Sequence, residues 1–294
     1  MLAASGTDLA SASLSGLASL VFRVRGGRTR LMQSKVRPPL MVQRALYLDQ
    51  ALPDMAFVFL ANPTAGILEG DQQSIEVNVG PNCRVHVSTQ SATKIYSMSG
   101  GSARQSVSLV LQDEAYLEYL PDPVIPFSRA SFAQDTVISL AANASLVFGE
   151  VMAPGRVEMG EVLAFDQLQN RLTVLAPNGD PLYRESFSLA PRKHSLSGIG
   201  LLGQLTAPSL GTMLLLNSSG DLEKLRDGVR TRVGRLVEGL TTVQTGVTLL
   251  PNGLGIGVKV LGEPLAAVKE VMKSVWAESR RQVLGVGLPH LRKY

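Results

Sequence analysis

The sequence predicts a mainly β protein, with a stacked or coiled β-sheet body and a C-terminal α+β layer that contains two amphipathic helices. Short alternating apolar segments recur between residues 20 and 190, and Gly, Pro, Asn or Asp separates them, which is typical of successive strands. Helical apolar spacing is confined to the final third of the chain. With 294 residues, of which 45% are hydrophobic, the chain is long enough to bury a large core.

Three segments are expected along the chain: a flexible N-terminal segment (1–19), a β-rich body (20–210) and an α+β layer (211–294) packed on that body as one domain. The N-terminus lacks the basic start of a secretory signal, and no apolar run approaches the roughly 20 residues of a membrane span. The single cysteine, Cys83, excludes an intrachain disulfide. We therefore predict a cytoplasmic protein that is not associated with a membrane.

The first predicted element is a β-hairpin that turns at Gly26 and Gly27, where strand-like segments rich in arginine meet. The arginines between Arg23 and Arg37 are interpreted as a solvated strand edge that opposes aggregation. The alternative is a basic nucleic-acid-binding β module. This cluster lacks interleaved aromatic residues and the formal net charge is only +4, so we predict no nucleic-acid partner.

The densest group of turn residues is the segment Ala61–Asp71, with the sequence ANPTAGILEGD. Pro63, Gly66 and Gly70 predict a tight turn in which the backbone reaches positive φ. Asp71 then places a carboxylate where the next strand begins. Strand alternation after this turn puts His86 on the face opposite Val85 and Val87, where we expect an ordinary outward-facing side chain and not a metal ligand.

Carboxylates after the strand that starts near Ser106 raise the alternative of a carbohydrate-active β-rich enzyme, which needs two carboxyl groups across a cleft. The favoured interpretation is that Asp113 and Glu114 form a hairpin turn and that Glu118 faces solvent. The sequence contains neither GxxxxGK[ST] nor GxSxG. We therefore predict that the protein is not an enzyme and assign no catalytic residue.

The final third predicts two amphipathic helices. The first follows the N-terminal signal of Ser218, Ser219, Gly220 and Asp221 and stops at Gly239, and the second starts at Glu263, with Pro264 in its first turn, and stops at Gly285. On the second helix, candidate partner-binding residues form one group of an aromatic and two cationic side chains. They are Trp276, Arg280 and Arg281.

Five sequence blocks together resemble the urease accessory protein family UreD, also called UreH. They occur in the order and spacing of that family and span nearly the whole chain from about Leu20. The blocks are NPTAGILEGD (Asn62–Asp71), STQSATKIY (Ser88–Tyr96), LEYLPDPVIPF (Leu117–Phe127), GRVEMGE (Gly155–Glu161) and the W-x-x-x-R helix (Trp276–Arg280).

This resemblance implies a urease maturation factor: a non-enzymatic scaffold that binds apo-urease, UreF and UreG and assists nickel insertion. It implies no tightly bound cofactor and only transient nickel. An internal passage for nickel is implied as well, with candidate carboxylates and supporting polar residues that lie in the family blocks or, for Glu150, just before the GRVEMGE block. The passage candidates are Asp71, Glu150 and Glu161, and the supporting residues are Thr89, Lys94 and Arg156.

Overall fold

A computed structural model describes residues 13–64, 66–194, 204–217 and 220–291. The strands are β1 (Ser15–Arg25), β2 (Arg28–Arg37), β3 (Met41–Val42), β4 (Ala56–Ala61), β5 (Gln72–Val79), β6 (Arg84–Thr89), β7 (Thr93–Ile95), β8 (Ala103–Leu111), β9 (Tyr116–Tyr119), β10 (Val124–Pro126), β11 (Ser131–Leu140), β12 (Ser145–Met152), β13 (Gln167–Leu175), β14 (Pro181–Leu189), β15 (Ser209–Asn217), β16 (Val243–Leu249) and β17 (Gly255–Gly262). The helices are α1 (Leu222–Val237) and α2 (Leu265–Val283), and two short 3-10 helices lie at Val157–Met159 and Pro251–Gly253. The predicted fold class, mainly β with two C-terminal helices, is confirmed.

The strands form two sheets. The first sheet has seven strands in the order β14-β13-β11-β8-β5-β1-β2. The main path of the second sheet runs β16-β17-β15-β12-β9-β6-β4-β3, and β10 and β7 join it to one side. From β5 to β13 the chain visits the two sheets in turn and pairs in parallel with the preceding turn of chain. This path makes the body a β-solenoid, in agreement with the predicted coiled sheet stack.

Antiparallel hairpins terminate the parallel stack of the first sheet at both ends. The predicted hairpin forms between β1 and β2, with Arg25 opposite Arg28 across the two glycines. The strands β13 and β14 form the other hairpin, around the predicted turn at residues 178–181. The first strand begins at Ser15, so it includes part of the segment predicted to be flexible, whereas residues 1–12 lie outside the described part of the chain.

Three apolar clusters hold the layers together. The first fills the space between the two sheets, with Phe22, Val87 and Phe148 among its members. The second lies between the outer face of the second sheet and the two helices. The third occupies one end of the solenoid around Phe132 and Phe165. The strand β15 pairs with β12 and β17, so the second sheet continues across the expected boundary at residue 210.

Both helices follow the signals in the sequence. The Asp221 carboxylate accepts a hydrogen bond from the Lys224 amide at 2.9 Å and so caps the start of α1. Buried Leu225, Val229 and Val233 form the apolar stripe of α1. Among the described residues, neither helix combines the length and apolar character that a membrane-spanning helix requires.

The helix layer changes the environment of two residues that we expected to face outward. His86 and Glu118 do lie on the strand faces opposite the inter-sheet core, but both are buried, with exposed fractions of 1% and 0%. The predictions of an outward-facing His86 and a solvent-facing Glu118 are therefore wrong. Strand alternation gives the correct face for both residues, but α2 covers this face of the second sheet.

Candidate functional site

A cavity of about 480 Å³ lies between the two sheets. Its walls include Ile75 and Phe132 from the first sheet and Leu60 and Met152 from the second, so much of its lining is apolar. Polar side chains from both sheets also face it, among them Gln73, Gln105, Gln134, Asn170, Thr89 and Glu150. A largely apolar enclosure with a few convergent polar groups is typical of a binding site.

Four amide side chains lie at paired positions on four neighbouring strands of the first sheet. Gln73 of β5 pairs with Gln105 of β8, Gln105 with Gln134 of β11, and Gln134 with Asn170 of β13. Gln105 donates a hydrogen bond from Nε2 to Oε1 of Gln73 at 3.1 Å. The buried Nε2 of Gln73 has no protein partner among the described residues, which favours a water molecule at this point of the cavity. We name these four residues the amide ladder.

Glu150 of β12 faces the amide ladder from the opposite sheet. Asn170 donates from Nδ2 to Oε2 of Glu150 at 2.8 Å, and Gln134 donates from Nε2 to Oε1. Burial raises the pKa of Glu150 from 4.5 to about 7, against the opposing effect of the two amide donors. This carboxyl group therefore exchanges its proton near neutral pH, where it can also accept a cation.

Thr89 and Lys94, the two supporting residues of the TQSATK block, line the same cavity as Glu150. Thr89 ends β6, and its hydroxyl accepts a hydrogen bond from the Asp122 amide at 2.8 Å. Lys94 lies in β7 and is exposed. The structure thus brings Glu150, Thr89 and Lys94 to one cavity although they lie far apart in the sequence.

Asp71 stabilises the turn that precedes β5. Its carboxylate accepts hydrogen bonds from the amides of Leu14, at 3.0 Å, and Leu68, at 2.9 Å. Gly70 adopts the predicted positive φ, +82°, and a side chain at Gly66 would meet the Lys94 carbonyl at 2.6 Å. Asp71 is buried and does not line the inter-sheet cavity, so its described contacts are structural.

Glu161 and Arg156 form an ion pair outside that cavity. Arg156 donates from Nε to Oε2 of Glu161 at 2.8 Å, and the same oxygen accepts from the Ser128 amide at 3.1 Å. The hydrogen bond from Arg156 holds the pKa of Glu161 below its ordinary value. The Arg156 guanidinium also lies 4.0 Å from the centre of the Phe127 ring. Neither residue is part of the cavity wall.

The three partner-binding candidates occupy different environments on α2. Arg281 is exposed over 62% of its side chain and donates to Glu278. Trp276 is half-buried. Arg280 is fully buried and cannot contact a partner directly in this conformation; its guanidinium instead pairs with two buried acids, Asp49 and Glu118.

Glu118 is the centre of a buried cluster of polar and charged side chains, which we name the Glu118 cluster. Its other members are Asp49, His86, Tyr116 and Arg280. Oε1 of Glu118 accepts from Nη1 of Arg280 at 2.7 Å and from the Tyr116 hydroxyl at 2.9 Å, and Oε2 of Glu118 lies 2.8 Å from Nδ1 of His86. Burial acts to raise the pKa of Glu118, but the hydrogen bond and charge of His86, together with Arg280, lower that pKa below its ordinary value. These contacts engage Glu118 fully, which removes the acid considered for a carbohydrate-cleaving pair.

The amide ladder and the Glu118 cluster were not anticipated from the sequence. A signal for the ladder exists, because an amide residue is the middle one in QQS, RQS, AQD and QNR, which occur in neighbouring strands of the first sheet. The cluster has no comparable signal, since Asp49, Glu118 and Arg280 are separated by 231 residues at the widest. Within the described ranges, no group of three or more His, Cys, Asp or Glu side chains is arranged to hold a metal ion.

Comparison with known proteins assigns the chain to a family. The family model described as UreD urease accessory protein matches residues 15–293. Urease accessory protein UreD of Photorhabdus laumondii is 36% identical over 94% of this chain and 84% of its own length. UreD 2 of Brucella suis is 33% identical over 92% and 88%, and UreD of Yersinia pseudotuberculosis is 32% identical over 94% and 84%. The chain is therefore a member of the UreD urease accessory protein family.

Proposed function

We propose that this protein acts in urease maturation as a non-catalytic scaffold that binds apo-urease together with UreF and UreG. Membership of an accessory protein family supports this proposal, because the relatives are named for assisting urease. The missing phosphate-binding loop agrees with a division of labour in which another protein hydrolyses nucleotide.

We further propose that nickel passes transiently through the inter-sheet cavity and that Glu150 is its carboxylate contact. The observation that supports this step is the position of Glu150, whose two oxygens face the cavity between Gln134 and Asn170. Carboxylate and amide oxygens are weak ligands for nickel compared with imidazole or thiolate. A weak oxygen site suits a cation that must leave again.

In this proposal the other candidate residues stabilise the passage and do not bind nickel themselves. Asp71 holds the turn next to Gly66, which lines the cavity, and the Arg156–Glu161 pair fixes the segment after β12. Thr89 and Lys94 shape the wall near Asp122. Nickel would thus meet Glu150 directly, whereas Asp71 and Glu161 would act through the shape of the passage.

For partner binding, we propose that Arg281 contributes directly from the exposed side of α2, and that Arg280 acts from inside by fixing the helix. The exposure of Arg281 and the burial of Arg280 support this division. An Arg281→Gln variant, which removes the charge but can still donate to Glu278, should lose co-purification with a partner while its thermal unfolding midpoint stays close to the wild-type value. Unchanged co-purification would exclude this surface.

The proposed function is tested in a urease-producing strain that lacks this chain. Complementation with the wild-type protein should restore urease activity, and the protein should co-purify with UreF and urease. Glu150→Gln should restore less activity at limiting nickel but still co-purify. The matched control is Glu76→Gln, because Glu76 is exposed on the other face of the first sheet.

Each result addresses one part of the proposal. Full urease activity without this chain, or no association with urease or UreF, would refute the role in maturation. Full activation by Glu150→Gln at limiting nickel would refute the part assigned to the cavity while leaving the scaffold role in place.

A further inference from the structure

A second cavity, of about 350 Å³, lies between the outer face of the second sheet and α2. We name it the helix cavity. Its lining includes His86 of β6, Met213 of β15, and Met272 and Trp276 of α2. Pro121, Asp122 and Val151 line both this cavity and the inter-sheet cavity, so the two spaces adjoin at these residues.

The orientation of His86 is fixed on several sides. Its ring stacks on Phe57 at 5.0 Å between centroids, and Trp276 lies at 5.5 Å from it. Because the ionised Glu118 can only accept, the 2.8 Å contact assigns the hydrogen to Nδ1 of His86. In the neutral ring, Nε2 then carries a lone pair. This nitrogen is buried and has no hydrogen-bond partner among the described residues.

The buried charges around His86 balance only when Nε2 of His86 carries a positive charge, either a proton or a bound cation. The Glu118 cluster contains two carboxylates, Asp49 and Glu118, and one guanidinium, Arg280, all of them buried. A neutral His86 leaves one negative charge in excess, which is costly away from water. The helix cavity adds two acids and two bases, Asp122, Glu270, Lys269 and Lys273, which do not change this balance.

We propose that Nε2 of His86 is a ligand for a transiently bound divalent cation, nickel in the first instance, in the helix cavity. An imidazole nitrogen is a better nickel donor than an oxygen ligand, and ligating histidines characteristically donate their other N–H to a carboxylate, as His86 does to Glu118. A cation on Nε2 replaces a proton as the source of the positive charge that offsets Asp49 and Glu118. Water and the carboxylates of Asp122 and Glu270, which line the same cavity, are further donors, and the thioethers of Met213 and Met272 are weaker ones.

The choice of nickel rests on the proposed function, whereas the cation site itself rests on the geometry of His86. One protein nitrogen with weak co-ligands implies a low affinity and rapid exchange. Since the helix cavity adjoins the inter-sheet cavity at Asp122, the two spaces offer a cation an oxygen contact at Glu150 and a nitrogen contact at His86.

The test is equilibrium dialysis of the full, tag-free chain against nickel chloride, with His86→Gln, Glu150→Gln and the control His194→Gln. His194 is an exposed histidine and serves to measure adventitious binding. We expect His86→Gln to weaken one binding event by at least about tenfold, and His194→Gln to leave it unchanged. Glu150→Gln should retain the His86 event, which separates this proposal from the role assigned to Glu150.

A second measurement covers the case in which His86→Gln does not fold. Zinc chloride is added to the wild-type protein labelled with 15N-histidine, and the Nε2 resonance of His86 is followed by NMR. A zinc-dependent shift of this resonance supports the site. If the chemical shift of Nε2 at millimolar zinc remains that of a protonated nitrogen, the proposal is overturned. A proton then supplies the positive charge in place of a cation. Equal nickel binding by folded His86→Gln and wild-type protein overturns it as well.

Discussion

Glu150→Gln tests whether a carboxyl group inside the inter-sheet cavity titrates near neutral pH. The pKa of Glu150 rises from 4.5 to about 7, chiefly because burial disfavours the charged carboxylate. The folded protein then holds a proton on Glu150 between these pH values, where the unfolded chain has lost it. Stability therefore falls as the pH rises from about 4.5 to about 7, and levels off above that window.

The size of this effect follows from the difference between the two pKa values. Each pH unit between 4.5 and about 7 changes the free energy of unfolding by about 1.4 kcal/mol, so the whole window contributes about 3 kcal/mol. Screening by solvent would reduce this effect, so the value is an upper limit. Glutamine keeps the shape of the side chain but does not titrate, so Glu150→Gln should lose this pH dependence.

The assay is urea unfolding of the wild-type protein and Glu150→Gln at a series of pH values from 4.5 to 8. The difference between their free energies of unfolding should move in favour of the variant by up to about 3 kcal/mol as the pH rises. Glu76→Gln, on the exposed face of β5, should show no such trend. A constant difference between Glu150→Gln and wild type across this range would show that Glu150 is already ionised and would refute the reasoning.

Three further substitutions test contacts described above. Arg280→Met leaves Asp49 and Glu118 buried without their guanidinium, so the free energy of unfolding measured in urea should fall by about 3 to 5 kcal/mol; a loss below about 1 kcal/mol would contradict a tightly coupled cluster. Asp71→Ala removes the acceptor of two backbone amides and should cost about 1 to 3 kcal/mol by the same measurement, whereas an unchanged stability would show that water replaces the carboxylate. Asp221→Ala removes the cap of α1 and should cost about 1 kcal/mol in urea unfolding, and Asp221→Asn, which can still cap, should lose much less.

Local periodicity was sufficient to predict the fold class and several elements. The alternation of Ile75, Val77 and Val79 depends on the two-residue repeat of a strand, and these residues do face the inter-sheet core. The two glycines of the first hairpin and the Asp221 cap are equally local signals. Each of these features is determined by residues a few positions apart, which is why the sequence alone could predict them.

Features that depend on contacts between layers were not predictable in this way. Alternation placed His86 and Glu118 on the correct face of their strands, but only the packing of α2 buries that face. The site residues show the same limit: Glu150 reaches the inter-sheet cavity, whereas Asp71 and Glu161 are engaged elsewhere. A motif match assigns residue types to positions, and it carries no information on which side chains share a cavity.

The regular coils of the solenoid also bear on how this chain tolerates insertions and deletions. Gln73 and Gln105 are neighbours across two parallel strands and lie 32 residues apart in the chain. One residue inserted within a strand would turn the following side chains to the opposite face and move amides of the ladder out of the cavity. Gain or loss of a complete coil would preserve the alternation and the stacking between neighbouring coils. Length variation in this body is therefore expected in the loops between strands or in whole coils.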